Sequence, residues 1–250
     1  MVAKDMQPMT QTTITTLEKA LEVAGLMEAC ALVVVDNSSI EPFQLHNFQT
    51  NIPLNIIRLD KNHSFSAASN IGAKKVSNAE LVLFLNNDVF LHPQALSTML
   101  EDKAAFSASI CGARLVYPNG LIQHAGVGFG AGNDGPFHLN HFAPSRIVPR
   151  VTAQNQSITG AVMLIDADLF ARLEGFDESF PFAYEDTDFC LRAAQIAAKT
   201  ICSQKVDSIH LAGQTRDQRT GEYEGASREL FIARWGWRVA SPMAGEELHS

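Results

Sequence analysis

Carboxylates crowd into one short aromatic segment late in the chain. Glu185, Asp186 and Asp188 fall within four positions and follow the run 180–184, which carries Phe and Tyr side chains. Aromatic neighbours exclude water from a carboxylate, and desolvation raises its pKa towards the range that suits a general base. The alternative is an ordinary helix start, because acidic side chains are favoured in the first turn of a helix. The segment therefore predicts a proton-accepting site, a helix N-terminus, or both.

Two further acids follow predicted strands. The apolar run 31–35 ends in Asp36, and the run 81–85 is followed by Asn86 and Asp88. Short continuous apolar runs are typical of strands buried on both faces of a parallel sheet. Ligands of such sheets bind beyond the carboxyl ends of the strands, so Asp36 and Asp88 should face one crevice. For Asp36 the alternative is an acid that caps the Asn-Ser-Ser turn after the strand.

The bulk composition is that of an ordinary globular protein. The chain has 250 residues, of which 46% are hydrophobic, which is enough for one large α/β domain. A formal net charge of −8 argues against a nucleic-acid partner, because duplex binders need a basic face. The four cysteines form no Cys-x-x-Cys pair and predict reduced thiols. No apolar run approaches the ~20 residues of a membrane span, which predicts a cytoplasmic protein.

Helices and strands alternate through the first half of the chain. Apolar periodicity predicts helices over 10–24, 66–75 and 93–100, and strands over 31–36, 55–59 and 81–85. This rhythm predicts an α/β fold with a doubly wound, mixed but mostly parallel sheet. Further strands are predicted over 157–165 and 199–206, and helices over 166–173 and 228–237. The Gly-, His- and Pro-rich stretch 126–150 predicts a functional lid or a disordered segment.

In their order these pieces resemble family-2 glycosyltransferases of the GT-A fold, a group that includes bacterial rhamnosyltransferases. The matching segments are 33–39, 62–72, 83–88, 159–165, 175–178 and 185–192. No single segment is specific to this family, but the occurrence of all six segments in the same order is specific to it. The resemblance implies one glycosyltransferase domain over 1–250. Its nucleotide-sugar-binding half would cover about 1–115 and its acceptor-binding, catalytic half about 116–240.

The resemblance implies an inverting transfer of a sugar from a nucleoside-diphosphate donor to a glycan or polyprenyl-linked acceptor, assisted by Mn²⁺ or Mg²⁺. In the family, an acidic element at a strand end holds the cation and the donor phosphates, and here it corresponds to Asn86 and Asp88. His210 resembles the histidine that completes the metal ligands. Asp186 corresponds to the base that accepts the proton of the acceptor hydroxyl, with Glu185 as the second choice.

The same resemblance places nucleotide recognition at Asp36, Arg58, Asn62 and Asn70. For Asn70 the alternative is an exposed position on a helix surface, and for His210 it is a structural histidine. Bacterial members of the family build surface polysaccharide at the inner face of the plasma membrane. That location implies peripheral membrane association and leaves the oligomeric state open.

Three departures from the family pattern motivate a second hypothesis. Residues 1–5 supply only a short part of the family's apolar first strand, which would weaken the nucleotide pocket. Asn86 replaces an Asp and is a neutral metal ligand, while Ser64 stands where Gly is usual and would be strained at positive φ. The alternative is therefore a catalytically impaired sugar-nucleotide-binding module. A nucleotidyltransferase is disfavoured because residues 4–13 contain no glycine for a phosphate loop.

One more stretch carries candidate residues without fixed roles. Residues 117–126 resemble a segment that borders the donor sugar in the family, although Asn119-Gly120 is also a strong signal for a tight hairpin turn. His124 and His138 would then line the acceptor side of the cleft.

Overall fold

The computed structural model describes most of the chain. The described residues are 1–76, 78–130, 135–212 and 220–239, with side chains over 224–236 in the last range. Part of the predicted glycine-rich segment, 131–134, lies outside them.

Within the described residues, helices and strands alternate as the sequence predicts. The strands are β1 (Val2–Ala3), β2 (Leu32–Asp36), β3 (Leu54–Arg58), β4 (Leu81–Leu85), β5 (Val89–Phe90), β6 (Ile110–Val116), β7 (Ile122–His124), β8 (Val127–Phe129), β9 (Pro136–His138), β10 (Ala153–Asn155), β11 (Val162–Asp166) and β12 (Thr200–His210). The helices are α1 (Gln7–Ala24), α2 (Phe65–Ala73), α3 (Ala95–Phe106), α4 (Ala167–Arg172), α5 (Glu185–Gln195) and α6 (Thr220–Val239). The predicted α/β class is confirmed.

The strands form two principal sheets. A parallel sheet has the order β1-β2-β3, and a larger mixed sheet has the order β10-β12-β6-β11-β4. In the larger sheet β12 and β6 run parallel, whereas β11 is antiparallel to both β6 and β4. Strand β5 pairs with the end of β12, and β7 pairs with the end of β6. Both short strands therefore extend the same edge of the molecule, where the candidate site lies.

One hydrophobic core joins the two sheets. The buried cluster includes Val34 of β2, Leu85 of β4, Leu115 of β6, Ile201 of β12 and Leu17 of α1. Because a continuous apolar cluster excludes water from both sheets at once, the strand ends on the two sheets are held in a fixed relation.

Helix α2 packs closely on the parallel sheet, as its small residues predict. A Cβ atom added at Gly72 would lie 2.9 Å from Cγ2 of Val35. The strain expected at Ser64 is absent, because its φ is −60° and its Oγ caps the helix by accepting the N–H of Ala67 at 3.3 Å. Ser64, which departs from the family pattern, therefore serves as the N-cap of α2.

Strand β6 is the central strand that the sequence pattern missed. All of its residues are buried, including Arg114, which interrupts the apolar run. The Arg114 guanidinium donates to the carbonyl of Ser145 at 2.7 Å and pairs with Asp207 at 3.0 Å. Its charge is thus neutralised inside the protein, and the loop that carries Ser145 is fixed against the sheet.

The stretch after β7 is ordered in the part that the structure describes. Strands β8 and β9 form a hairpin, and the loop behind it is bonded to β7. Phe142 N–H donates to the Ile122 carbonyl at 2.8 Å, and Ile122 N–H donates to the Ala143 carbonyl at 2.8 Å. The expectation of a disordered segment is therefore wrong for these residues.

The cysteines are free thiols, as predicted. Cys111, Cys190 and Cys202 are buried and Cys30 is half-buried. None of the helices in the described part of the chain combines the length and apolar character needed to span a bilayer.

The tight packing of β6 gives a stability prediction. A Cβ at Gly112 would lie 2.7 Å from Cδ1 and 3.0 Å from Cβ of Ile158, so Gly112→Ala should destabilise the fold by about 1–3 kcal/mol through overpacking. A Cβ added at Gly225 of α6 would have no neighbouring atom within 4 Å. Gly225→Ala should therefore stabilise the fold by about 0.5–1 kcal/mol. Urea unfolding of both variants measures the difference. Equal stability of Gly112→Ala and the parent chain would contradict the packing argument.

Candidate active site

The pairing of β5 with β12 brings Asp88 and His210 together. Val89 pairs with His210 in the ladder, and Leu211 N–H donates to the Asp88 carbonyl at 3.0 Å. As a result Nε2 of His210 lies 3.1 Å from Oδ1 of Asp88, and both side chains are largely buried.

Gln123 of β7 determines which nitrogen of His210 carries a proton. Its Oε1 lies 2.6 Å from Nδ1 of His210, and an amide oxygen only accepts, so Nδ1–H must donate to it. In neutral His210 the Nε2 lone pair then faces the carboxylate of Asp88. Two electron-pair donors at this distance need a proton or a metal cation between them.

The donors at this position suit a divalent metal ion. A carboxylate oxygen and an imidazole nitrogen are ligands that Mn²⁺ and similar cations accept. Among the described residues no group of three or more His, Cys, Asp or Glu side chains converges on one point. If a cation binds here, Asp88 and His210 would supply only part of its ligands, and oxygen atoms of a bound molecule or of water would complete the set.

Asp186 is oriented by backbone N–H groups at the start of α5. Its Oδ2 accepts the N–H of Gly160 at 2.7 Å, and its Oδ1 accepts the N–H of Thr187 at 2.7 Å. Burial raises the pKa of Asp186 above its ordinary value, although these two hydrogen bonds and the nearby His138 partly offset the effect. The carboxylate is thus fixed in direction and made more basic than a solvated one.

Glu185, the neighbouring acid, is buried and holds its proton more tightly. Burial first, and then the charge of Asp186, raise the pKa of Glu185 to about 8. At neutral pH Glu185 therefore keeps its proton, and Asp186 is the better candidate for the ionised carboxylate.

The backbone that leads into α5 is strained. Ala183 and Tyr184 have φ values of 61° and 68°, which non-glycine residues rarely adopt in succession. Helix α6 holds this turn: the Phe231 ring lies 5.2 Å from the Tyr184 ring, and Ser227 Oγ accepts the Phe182 N–H at 3.1 Å. Such strain is typical of functional sites, where surrounding packing maintains it.

The third acid of the cluster has a structural role. Asp188 is fully buried and accepts hydrogen bonds from Arg192 at 2.7 Å, Arg234 at 2.8 Å and Trp235 Nε1 at 2.9 Å. It therefore ties α5 to α6. The cluster contains a helix start and a candidate base together, so the two alternatives raised by the sequence do not exclude each other.

The Asp88–His210 pair and the candidate base lie on the same edge of the sheet. Asn86, at the end of β4, donates its N–H to the Ala161 carbonyl at 2.9 Å. The adjacent Gly160 binds Asp186. Only the segment 160–161 therefore separates the strand end that leads to Asp88 from the carboxylate of Asp186.

A pair of histidines lies between these two ends. Thr159 N–H donates to Nε2 of His124 at 3.4 Å, so Nδ1 of His124 carries the proton and donates to Nδ1 of His138 at 2.8 Å. Burial lowers the pKa of His124 well below its ordinary value, and the neighbouring His138 and His210 lower it further. Both imidazoles thus keep a defined tautomer, and His138 lies close to Asp186.

Sequence comparison identifies the family. The family model described as "Glycosyltransferase like family 2" matches residues 11–230. The chain belongs to this family.

Curated relatives of this glycosyltransferase include proteins of glycan assembly. The O-antigen biosynthesis protein RfbC of Myxococcus xanthus is 28% identical over 194 residues, which cover 74% of this chain and 15% of that protein. The low-salt glycan biosynthesis hexosyltransferase Agl10 of Haloferax volcanii is 25% identical over 223 residues, which cover 84% of this chain and 68% of that protein. The chain thus spans a small part of the Myxococcus protein and about two thirds of the Haloferax protein.

Solved structures confirm the GT-A fold. The mannosyltransferase PcManGT of Pyrobaculum calidifontis, solved with GDP-Man and Mn²⁺, aligns with a TM-score of 0.64 and 12% identity over 98% of this chain and 64% of that one. GalNAc-T7, solved with UDP, GalNAc and Mn²⁺, aligns with a TM-score of 0.58 and 12% identity over 80% of this chain and 41% of that one. At these identities the likeness concerns the fold alone.

In the first half of the chain, Asp36 is fully buried. Its carboxylate accepts the N–H groups of Ser39 at 2.9 Å and Phe43 at 3.0 Å, and an N–H of Arg58 at 2.7 Å. Burial alone would raise the pKa of Asp36, but these donors outweigh it and hold the pKa below its ordinary value. This geometry favours the turn-capping alternative for Asp36, while half-exposed Arg58 remains accessible to a ligand.

Asn70 and Asn62 differ sharply in their surroundings. Asn70 is buried: its Nδ2 donates to the Phe176 carbonyl at 2.8 Å and its Oδ1 accepts the Phe176 N–H at 3.0 Å. The helix-surface alternative for Asn70 is therefore wrong, because the side chain anchors the turn before α5. Asn62 is exposed at the start of the loop before α2. In that loop the Asn37 side chain exchanges two hydrogen bonds with the backbone of His63.

The buried Glu185 gives the transferase a pH-dependent stability. Its pKa is about 8 in the folded chain and 4.5 ordinarily, so between these values the folded chain holds a proton that the unfolded chain releases. Stability should therefore fall as the pH rises from about 5 to about 8. Glutamine cannot titrate, so Glu185→Gln should flatten this fall and raise the melting temperature relative to the parent at pH 8.

Thermal unfolding of both proteins at pH 5 and pH 8 measures the effect. Glu41→Gln, at an exposed position, serves as the control and should follow the parent at both pH values. A parallel pH dependence in Glu185→Gln and the parent would show that Glu185 does not hold a proton in the folded state.

Proposed function

We propose that this chain is an inverting, metal-dependent glycosyltransferase that moves a hexosyl or deoxyhexosyl group from a nucleoside-diphosphate donor to a glycan or polyprenyl-linked acceptor. The observation that carries the proposal is the position of the Asp88–His210 pair and Asp186 on one edge of the sheet. Relatives named for O-antigen and glycan biosynthesis support a role in surface polysaccharide assembly, which would bring the protein to the inner face of the plasma membrane.

The two halves of one domain would divide the work. Residues about 1–115 would bind the nucleotide, with Arg58 and Asn62 accessible to it, and residues about 116–240 would bind the acceptor. Asp88 and His210 would hold Mn²⁺ or Mg²⁺, with Asn86 beside them at the strand end. A bound divalent cation offsets the negative charge that develops on a departing diphosphate.

Asp186 is the better of the two candidate bases. With Glu185 protonated at neutral pH, Asp186 is the carboxylate available to accept a proton from the acceptor hydroxyl as the oxygen attacks the anomeric carbon. The N–H groups of Gly160 and Thr187 keep its oxygens in place during this transfer. A single displacement needs no covalent nucleophile, so the anomeric configuration inverts.

Removal of the base tests the role of Asp186. Asp186→Asn should lower the rate of sugar transfer by about 10²–10⁴-fold, the usual contribution of general-base catalysis, while donor affinity by calorimetry stays within about threefold of the parent. Asp168→Asn, an exposed acid on α4, is the matched control and should transfer at the parental rate. A transfer rate in Asp186→Asn within about threefold of the parent would exclude Asp186 as the base.

The same calorimetry distinguishes the second hypothesis. Tight binding of a nucleotide sugar by the parent chain, without transfer to any acceptor, would favour the catalytically impaired binding module. The neutral Asn86 in place of an Asp is one of the features that motivate this alternative.

The hydrogen bond from His210 to Gln123 yields a prediction about the metal. Chelation with EDTA should abolish transfer, and Mn²⁺ or Mg²⁺ should restore it. Gln123→Met removes the oxygen that orients His210, so about 10–100-fold more metal should be needed for half-maximal activity. The control is Gln204→Met, a buried glutamine whose Nε2 donates to the Ala125 carbonyl at 2.7 Å. An unchanged metal requirement in Gln123→Met would show that Gln123 does not contribute to metal binding.

A further inference from the structure

An exposed group of stacked rings lies in the second half of the chain. Phe142 is 60% exposed and stacks on the His141 ring at 3.8 Å and 20°. The Tyr117 ring is nearly parallel to Phe142, at 5.6 Å and 12°. The Tyr117 hydroxyl lies 3.0 Å from Nε2 of His141, so a hydrogen bond holds these two rings together. We call Tyr117, His141 and Phe142 the aromatic platform.

Core packing does not explain the platform. Phe142 has a φ of 63°, a conformation that is costly for a bulky residue, yet most of its ring remains exposed. Backbone hydrogen bonds fix it: Phe142 N–H donates to the Ile122 carbonyl at 2.8 Å, and Ala143 N–H donates to the Asn140 carbonyl at 2.9 Å. Holding these aromatic rings at the surface therefore lowers the stability of the fold. A strained backbone that presents exposed rings is characteristic of a binding site.

The platform is continuous with the candidate active site. The His141 ring lies 5.8 Å from the His138 ring. His138 is bonded to His124 and is close enough to Asp186 for the carboxylate charge to raise its pKa, although burial, the larger effect, lowers it. A track of rings thus leads from the candidate base to the surface, on the side of the cleft where residues 116–240 lie.

The chemistry of the track matches a sugar better than an ionic ligand. Aromatic faces pack against the C–H faces of a pyranose ring, and the Tyr117 hydroxyl and the imidazole nitrogens can donate to or accept from sugar hydroxyls. The track contains no Lys or Arg side chain that would pair with a phosphate.

We propose that the aromatic platform is a subsite for the acceptor, which stacks one neutral sugar ring of a glycan on Phe142 and Tyr117 and directs its reacting hydroxyl past His138 towards Asp186. This proposal rests on the proposed function, because the occupant is the acceptor of that reaction. It adds the location of the acceptor sugar and the residues that select it.

Kinetics of two variants test the subsite. Phe142→Leu keeps apolar bulk but removes the aromatic face, and it should raise the KM for the acceptor about fivefold to tenfold, the scale of one lost aromatic contact, with the KM for the donor unchanged. Tyr117→Phe keeps the ring but removes the hydroxyl and should have a smaller effect of the same kind. Phe106→Leu is the control, since Phe106 is 36% exposed at the end of α3. An acceptor KM in Phe142→Leu within twofold of the parent would overturn the subsite.

A binding measurement separates failure of the subsite from failure of the proposed function. Saturation-transfer NMR with methyl glycosides of hexoses and 6-deoxyhexoses, and with their disaccharides, needs no turnover. The parent and Phe106→Leu should transfer saturation to at least one of these probes, and Phe142→Leu should lose most of that signal. Equal signals in Phe142→Leu and the parent, or no signal from any probe with the parent, would overturn the platform even if sugar transfer were observed. Loss of signal in Phe142→Leu without any transfer by the parent would instead support the platform and contradict the proposed function.

Discussion

The hydrogen bonds of the buried Asp188 carboxylate are the interaction on which the start of α5 depends. Its two oxygens accept from Arg192, Arg234 and Trp235, so a full negative charge inside the protein is balanced by donors from two helices. Removing one partner of such a buried ion pair typically costs about 3–5 kcal/mol. This contact fixes α5 against α6, and α6 in turn supports the left-handed turn at Tyr184. The direction of the Asp186 side chain therefore depends on residues of the next helix in the chain, α6.

The end of this edge that carries Asp88 and His210 is built differently, from strand pairing. Strand β12 carries His210, β5 places Asp88 against it, and β7 contributes the oxygen of Gln123. Backbone ladders position these groups, and no strained turn is needed among them. The two ends meet at Gly160, whose N–H binds Asp186 while the adjacent Ala161 carbonyl accepts the N–H of Asn86. The sheet thus positions the Asp88–His210 pair, and the start of α5, which packs against α6, positions the candidate base Asp186.

Much of this arrangement could be predicted from local sequence, because apolar runs and their terminating polar residues report strands and strand ends. Strands β2 and β4 and the start of α5 follow from such runs. Strand β6 was missed because Gly112 and Arg114 interrupt its apolar pattern, and the burial of Arg114 is stabilised by carbonyls more than 30 residues away. The anchoring role of Asn70 was missed for the same reason, since its partner Phe176 lies 106 positions along the chain. Side-chain partners at such separations leave no periodic signal.

The dependence of α5 on α6 has a consequence for biosynthesis. Domains assemble as the ribosome delivers them, from the N-terminal side onward. Every strand of both sheets precedes α6 in the sequence, whereas Asp188 obtains its full set of donors only after Arg234 and Trp235 have been added. The acidic residues at the start of α5 therefore reach their final orientation only once α6 has been synthesised, which makes the orientation of Asp186 a late step in the maturation of the chain.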